Sequence, residues 1–451
     1  MVQIGRNLSL WSWAFLLILV PVLFLPPIFT GLALFLILFF VAVRRWTFGY
    51  FLPPTPLNLA ILGLLGALLV SYLVMFDETL SLPKLTGLLI GIALFFSVVQ
   101  FSKERSVWPI VVVFVMFGVA IATAGLLGSQ WPPPVEFLNA AADLLPINQQ
   151  GVPGTAHGYV NLNELAGVLS WIAPFLLACS IGLRRKLVQM NAGLYILLVI
   201  ASLYTIFLLI ATSSRGGILA FSCGAILIFA LFAKGRWRLV LLSTIVPILL
   251  ILFAYWNNRP DVDIVGDTLG LSGRIEIWSR ALLALQDHPI TGVSLNGFRQ
   301  VVHEVYPLFE IAGDVDIAHA HNHLLQAGLD LGLPGLISYL AIWIISSGLI
   351  VATIRSLIRR GATHHPYYAL AAGLGGSLLA GWVFGLFDAV ALGARPAFIW
   401  WLLVGLTVAV HYEVLFSGKH LRIYRRVSVD RLAERESQAR STTPSGLKES
   451  A

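Results

Sequence analysis

Apolar runs long enough to cross a lipid bilayer recur along the sequence, and they constrain the fold more than any other feature. A helical span needs about 20 mostly apolar residues, because the hydrocarbon core is roughly 30 Å thick and an α-helix rises about 1.5 Å per residue. The runs lie at about 10–25, 28–43, 56–76, 83–101, 107–128, 160–182, 188–212, 216–233, 239–256, 323–352, 367–388 and 396–416. We therefore predict an all-α polytopic membrane protein with about twelve transmembrane helices.

The composition agrees with this prediction, because only 11% of the residues are charged, against roughly 25% in soluble domains. Arg6 precedes the first run, but no small-x-small cleavage site follows it, so we expect a retained helix and not a signal peptide. Cys179 and Cys223, the only cysteines, fall inside predicted helices. Neither a disulfide framework nor a cysteine metal site is therefore expected.

The distribution of basic residues predicts the orientation of the chain. All but seven of the 29 Lys and Arg residues fall on one side of the twelve-helix arrangement, and cytoplasmic loops carry such an excess. We expect both termini in the cytoplasm, and the net charge of +7 reflects topology and not nucleic-acid binding. The seven basic residues on the outside are Lys84, Arg215, Arg259, Arg274, Arg280, Arg299 and Arg395.

Two long polar segments, 129–159 and 257–322, lie on the external side in this arrangement. The second contains "GRIEIWSRALLALQDHP", whose apolar residues recur at helical spacing, so we predict an amphipathic helix at the membrane surface or capping the bundle, with Ser272 as its N-cap. We treat 1–427, including this external loop, as one transmembrane unit. The polar segment 428–451 is predicted to be a disordered cytoplasmic tail.

Two of the outside arginines are candidates for anion binding. Arg215 lies in "TSSRGG" between two runs, where it either extends to the headgroups or binds an anion, since guanidinium is a bidentate partner of phosphate. Arg274 follows Gly273 in the first turn of the predicted amphipathic helix, where exposed amides favour anions. Arg274 could equally pair with a nearby acid.

Three histidines precede the tenth run in "AHAHNHLLQAGLDLGLPG", residues 318–335. If the helix begins near Asp316, His319 and His323 share a face with Asp316 and Asp330, and His321 points the other way. A pair of His four residues apart with a carboxylate can hold zinc, but further ligands at a recognisable spacing are missing, so we predict no metal. The histidines are then either interfacial residues in contact with headgroups and water, or they supply a general base.

These patches together resemble the O-antigen ligase and O-antigen polymerase group of membrane glycosyltransferases. Ligases of the group carry His, then Asn, Ser or Gln, then nine residues, then G-x-x-G, which here is His321-Asn322, HLLQAGLDL and Gly332 to Gly335. "SSRGG" around Arg215, "GRIEIW" around Arg274 and "NLNELAG" at 161–167 resemble the other recurrent patches. The resemblance implies a GT-C-like fold in a bacterial cytoplasmic membrane, with the active site on the external face.

The resemblance also implies a substrate and a role for each matched residue. The donor would be a glycan linked through diphosphate to undecaprenol, and the acceptor a glycan or lipid-linked hydroxyl, with no cofactor and no metal. His321 would be the general base, and Arg215 and Arg274 would bind the diphosphate. The candidate substrate-binding residues are Asn322, Asn161, Asn163, Glu164, His319 and His323. Gly332 and Gly335 would allow close helix packing.

The group also contains polymerases that join lipid-linked repeat units, and the sequence alone does not separate a ligase from a polymerase, although the His motif has the ligase form. A small-solute transporter, of the bicarbonate type once proposed for some members, is the alternative from a different class. Such a pathway needs ionisable residues in mid-membrane, whereas the polar residues here gather at the predicted external face.

Overall fold

The computed structural model describes residues 2–20, 30–133, 135–142, 158–233, 235–236, 270–312, 315–390, 392 and 395–416, and the regular secondary structure in this part of the chain is helical, without strands. The helices are α1 (Val2–Leu10), α2 (Ser12–Ile18), α3 (Thr30–Phe48), α4 (Asn58–Leu73), α5 (Glu78–Glu104), α6 (Trp108–Gly128), α7 (Asn139–Ala142), α8 (Leu162–Gly182), α9 (Arg184–Met190), α10 (Ala192–Ala211), α11 (Arg215–Phe232), α12 (Gly270–Asp287), α13 (Phe298–Glu304), α14 (His323–Arg359), α15 (Pro366–Gly385) and α16 (Ala397–Leu415). A 3-10 turn, Glu136–Leu138, precedes α7.

Nine of the described helices are long and apolar enough to cross a membrane, and the shorter apolar helix α4 corresponds to a further predicted run. The predicted fold class, a polytopic all-α membrane protein, is confirmed. The first run differs from the prediction, because two short helices meet there at Trp11. The seventh run begins later than expected, at Ala192, because Asn191 caps α10. The predicted run at 239–256 and the tail at 428–451 lie outside the described residues.

Helices α5, α8, α15 and α16 form the interior of the bundle, and they are apolar on all faces. Glycines let these helices approach closely. A Cβ atom at Gly91 of α5 would lie 2.1 Å from Trp401 Cδ1, and one at Gly381 of α15 would lie 2.3 Å from Trp171 Nε1. The interior is therefore a rigid scaffold of large aromatic residues packed on glycine.

Basic residues and candidate site residues lie at opposite ends of this scaffold. At one end Arg6 pairs with Glu104, and Lys103 Nζ donates to Pro54 O over 2.7 Å. Lys84, at the other end of α5, lies roughly 30 Å away along the helix. The separation matches the division of charge on which the predicted orientation rests.

Helix α14 begins later than predicted and contains a break. It begins at His323 and not near Asp316, because the Asn322 side chain caps it by accepting hydrogen bonds from the amides of Leu324 and Leu325. The break lies at Gly332, whose φ of 67° is in the left-handed region. Nine residues, 323–331, form the short helical segment between cap and break.

The chain that follows α12 packs against α14 at this break. The amide of Leu333 donates to Pro289 O and that of Val293 donates to Leu329 O, each over 2.7 Å. A Cβ atom at Gly332 would lie 2.1 Å from Ile290 O. The close packing predicted for this glycine therefore occurs against a loop backbone and not against another helix.

The described part of the segment that was predicted to be external packs as a small apolar unit on α14. Ile277, Ala281 and Ala284 of α12 are fully buried in a cluster that also contains Phe298 of α13 and Leu329 of α14. The amphipathic helix thus caps the bundle. Ser272 is not its N-cap, because α12 extends two residues further toward the N-terminus and begins at Gly270.

Candidate functional site

His319 and His321 lie in the extended segment before α14 and face one carboxylate. Their rings are 4.3 Å apart between centroids. His319 Nε2 is 3.4 Å from Asp388 Oδ1, and His321 Nδ1 is 4.0 Å from the same oxygen. About a fifth of each imidazole is exposed, whereas Asp388 is almost completely buried. Two neutral bases and one buried acid are therefore gathered at the mouth of the bundle.

His323 is separate from this pair, contrary to the predicted face shared with His319. Because the helix starts at His323, the first two histidines are not on a helical face with it. His323 is buried among Tyr339, Trp343 and Trp382, and its Nδ1 lies 3.0 Å from the Tyr339 hydroxyl. The substrate-binding role predicted for His323 would require a ligand to enter this aromatic core.

The backbone around the two exposed histidines is held in an unusual conformation. His321 has a φ of 46°, in the left-handed region that side chains with a Cβ atom occupy at a cost of roughly 1 kcal/mol or more. Its amide donates to His319 Nδ1 over 3.2 Å. On either side of Ala320, the Ala320 amide donates to Gln326 Oε1 and the Trp278 indole donates to Ala320 O. Several contacts therefore impose the position of His321.

Asn322 joins the two segments that carry the histidines and Asp388. Besides capping α14, its Nδ2 donates to Leu386 O over 3.2 Å. Both ends of the predicted substrate-binding amide are thus engaged within the protein. Asn322 fixes the approach of the histidine segment to the end of α15.

Asp388 is the site residue that the sequence reasoning did not select. It follows α15 at the end of a predicted apolar run, and its Oδ1 also accepts a hydrogen bond from the Ala389 amide. The available signal was a single carboxylate at the predicted external end of a run without other charges.

Three of the outside basic residues are neutralised by acids. Lys84 Nζ lies 2.5 Å from Asp330 Oδ2, a fully buried carboxylate that also accepts from Gln326. The other two pairs are Arg299 with Asp316 and Arg280 with Glu276. Gln326 links the first pair to the histidine segment through its bond to Ala320. Arg259 lies outside the described residues.

Arg274 and Arg215, two of the arginines predicted to lie outside, begin or lie in helices that approach the segments of the histidines and Asp388. Arg274 acts electrostatically on both His319 and His321. It lies in the second turn of α12, one turn before the Trp278 contact to Ala320. Arg215 begins α11, whose next residue, Gly216, would place a Cβ atom 3.5 Å from the Cβ of Phe387, the neighbour of Asp388.

The polar patch that opens α8 also approaches Asp388. Asn161 caps the helix, because its Oδ1 accepts from the amides of Asn163 and Glu164. Glu164 lies close enough to Asp388 and Arg395 to interact electrostatically with both. Of the three residues predicted from this patch, the structure brings Glu164 to the site, engages Asn161 as a cap, and leaves Asn163 half-buried beside them.

The environment keeps His319 and His321, which are mostly buried, in their neutral form. Burial, supported by the neighbouring His319 and Arg274 and opposed by Asp388, lowers the pKa of His321 to about 3. Burial also lowers the pKa of His319, and Asp388 opposes that shift as well. A neutral imidazole is the form that can accept a proton.

The imidazoles of His319 and His321 and the carboxylate of Asp388 offer three ligand atoms that lie within 4.8 Å of one another. Whether they can bind a metal ion depends on which ring nitrogens carry a lone pair. His319 Nδ1 accepts the His321 amide, which places the proton of the neutral ring on Nε2. That nitrogen, which faces Asp388, then has no lone pair for a metal. A histidine that binds a metal through one ring nitrogen instead carries its proton on the other ring nitrogen and donates a hydrogen bond from there. The hydrogen bonds therefore fit proton transfer better than metal coordination.

Residues 198–340 match the family model described as O-antigen ligase. The matched segment includes Arg215, Arg274 and the three histidines, and it ends just beyond Gly335. Glu164 and Asp388 lie outside it. No curated protein matches the chain. The helical architecture is that of a multi-pass membrane protein, and within it the segment 198–340 is similar to O-antigen ligases.

Proposed function

We propose that this protein is a membrane glycosyltransferase of the O-antigen ligase type. It transfers a glycan from an undecaprenyl-diphosphate-linked donor to an acceptor hydroxyl, at the outer face of a bacterial cytoplasmic membrane. The acceptor oxygen bonds to the anomeric carbon as the bond from that carbon to the phosphate oxygen breaks. The acceptor proton passes to His321, and the bond electrons leave with undecaprenyl diphosphate.

The pairing of His321 with Asp388 carries this proposal. His321 Nδ1 is buried and faces Asp388 Oδ1, so a proton on Nδ1 leaves the lone pair on Nε2. Within the described residues, Nε2 of His321 has no protein partner. The 4.0 Å separation is long for a hydrogen bond, as is common before substrate binds.

The geometry favours His321 over its neighbour as the base. His319 accepts at Nδ1 and faces Asp388 with Nε2, so both of its nitrogens are engaged. His323 is enclosed by aromatic rings. His321 is therefore the histidine of the three with a nitrogen to offer an acceptor hydroxyl.

Arg215 and Arg274 supply the positive charge for the leaving group. A diphosphate gains charge as the glycosidic bond breaks, and preorganised guanidinium groups stabilise that charge more in the transition state than in the ground state. Arg274 acts electrostatically on His321, Arg395 acts on Glu164, and Arg215 is adjacent to Gly216, which packs near Phe387. We therefore propose transfer that needs neither nucleotide nor added metal.

A polymerase would use the same donor and differ in its acceptor, a second lipid-linked glycan. We favour the ligase because the ligase form of the His motif is preserved, with Asn322 directly after His321. The acceptor contacts would come from the external segment and the opening of α8.

Reconstitution with a lipid-linked oligosaccharide and both acceptor types tests the proposal. We expect glycan transfer in the presence of a chelator, lost on His321→Ala and reduced about a hundredfold by Arg215→Ala or Arg274→Ala, with partial rescue by lysine. Thr353→Ala, far from the site in α14, is the control for handling and folding. Full activity of His321→Ala would exclude the mechanism, and solute movement without donor consumption would favour the transporter.

A further inference from the structure

We propose that His319 is a positioning residue, which holds His321 in its working orientation by bridging the His321 backbone and the Asp388 carboxylate. The inference rests on the proposed glycosyl transfer, because it concerns the base of that reaction. It replaces the substrate-binding role that the sequence suggested for His319.

The hydrogen bonds define both nitrogens of His319. Nδ1 accepts the amide proton of His321 over 3.2 Å. A neutral imidazole carries one proton, so this proton lies on Nε2 and points at Asp388 Oδ1, 3.4 Å away. The His319 ring therefore connects the backbone of His321 with the carboxylate of Asp388.

The hydrogen bond from the His321 amide to His319 holds a strained backbone conformation in place. His321 lies in the left-handed region at φ 46°, and such residues persist only where surrounding contacts fix them. His319 supplies the acceptor for the His321 amide and packs its ring 4.3 Å from the His321 ring. Without that acceptor, the His321 backbone can relax and move its Nε2 away from the acceptor hydroxyl.

The carboxylate end controls the proton affinity of His321. The charged groups around the two rings are Asp388 beyond α15, Arg274 on α12, Lys84 on α5 and Asp330 on α14. A proton donated by His319 Nε2 partly satisfies Asp388, so Asp388 stabilises protonated His321 less strongly. His319 therefore helps to keep the base unprotonated.

Two substitutions distinguish the hydrogen bond to the His321 amide from the contact with Asp388. In His319→Asn, the amide oxygen can occupy the place of Nδ1 and keep the acceptor for the His321 amide, while the donor to Asp388 is lost. In His319→Gln, the longer amide can place its nitrogen near the position of Nε2 and keep the donor, while the backbone acceptor is lost. The pair tests each hydrogen bond in the full-length protein.

We expect different kinetic signatures from the two variants. In His319→Asn, the acid limb of the kcat/KM profile moves up by about one pH unit, because Asp388 stabilises protonated His321 more strongly. In His319→Gln, kcat falls about tenfold at every pH without that shift, because the base is misplaced. The KM for the donor stays unchanged in both. Equal pH profiles in wild type and both variants, or losses confined to KM, would overturn the proposal.

A second measurement does not depend on catalysis. Diethyl pyrocarbonate carbethoxylates neutral imidazole, so its rate at His321, followed by peptide mass spectrometry from about pH 2.5 to 8, reports the protonation of His321. The enclosed His323 is the internal control. We expect the reactive form of His321 to disappear at a higher pH in His319→Asn than in wild type. If wild type transfers no glycan but this shift appears, the proposed function fails and the positioning inference stands; if the shift is absent, the inference fails.

Discussion

At the scale of single residues, the site depends on a division of work between two imidazoles that differ by two positions in the chain. His319 has both nitrogens engaged, and in the proposed mechanism His321 keeps one for the substrate. The difference arises from the backbone, because the left-handed conformation of His321 turns its ring beside that of His319. An even helical spacing, as first predicted, would have placed the two rings on opposite faces.

The lowered pKa of His321 gives a prediction for wild type. Only neutral His321 can accept a proton, and burial lowers its pKa to about 3, so activity is lost only when the pH falls well below the usual imidazole range. We expect kcat/KM at about pH 5.5 to remain within about twofold of its value at pH 7.5. The measurement is the initial rate of transfer in buffers of constant ionic strength. A half-maximal rate near pH 6.5 would mean that His321 titrates as an ordinary surface histidine.

At the scale of elements, the interrupted helix α14 sets the site in place. The segment 323–331 carries the cap at Asn322 on one end and the break at Gly332 on the other. The cap is tied to Leu386, and the break is tied to the loop after α12. One short helix thus connects the element that bears Asp388 with the element that bears Arg274.

Gly332→Ala is expected to destabilise the protein by about 2 kcal/mol or more. A methyl group would meet the Ile290 carbonyl oxygen, and alanine disfavours a φ of 67°. Gly348→Ala, in the same helix with open space around its Cβ position, is the matched control and should be neutral or slightly stabilising. Thermal unfolding in detergent compares the two. Equal melting temperatures would show that the break tolerates a side chain.

At the scale of the whole molecule, the all-α membrane fold and the positions of the nine long apolar helices among the described residues were the most predictable part. Apolar length alone gives them, because lipid leaves a backbone few alternatives to a helix. Local sequence patterns are enough to select Arg215, Arg274 and His321 as candidates, and their roles stay predictions. The site was not predictable where helices far apart in sequence meet, and for that reason Asp388 and the enclosure of His323 were missed. The start of α14 was missed because Asn322 is an N-cap, a role that the resemblance to a catalytic motif obscured.

The predicted orientation can be tested by labelling single cysteines. Phe309, in the external segment, and Trp46, at the basic end of α3, are both well exposed. We expect a membrane-impermeant maleimide to modify Phe309→Cys in intact cells and Trp46→Cys only after permeabilisation. The natural Cys179 and Cys223 lie within helices and should react poorly. The opposite labelling pattern would reverse the topology and remove the active site from the outer face.

The short helical segment between Asn322 and Gly332 also fixes the distance between two parts of the protein. Its nine residues are about two and a half helical turns, a rise of roughly 13 Å, and both of its ends are fixed to other parts of the protein. Inserting or deleting one residue would rotate one end relative to the other by about 100°, a change that no side-chain adjustment can absorb. The interval between His321 and Gly332 is thus a fixed length of helix. The spacing in the motif therefore sets a distance in the structure, in addition to the proposed role of His321 as the base.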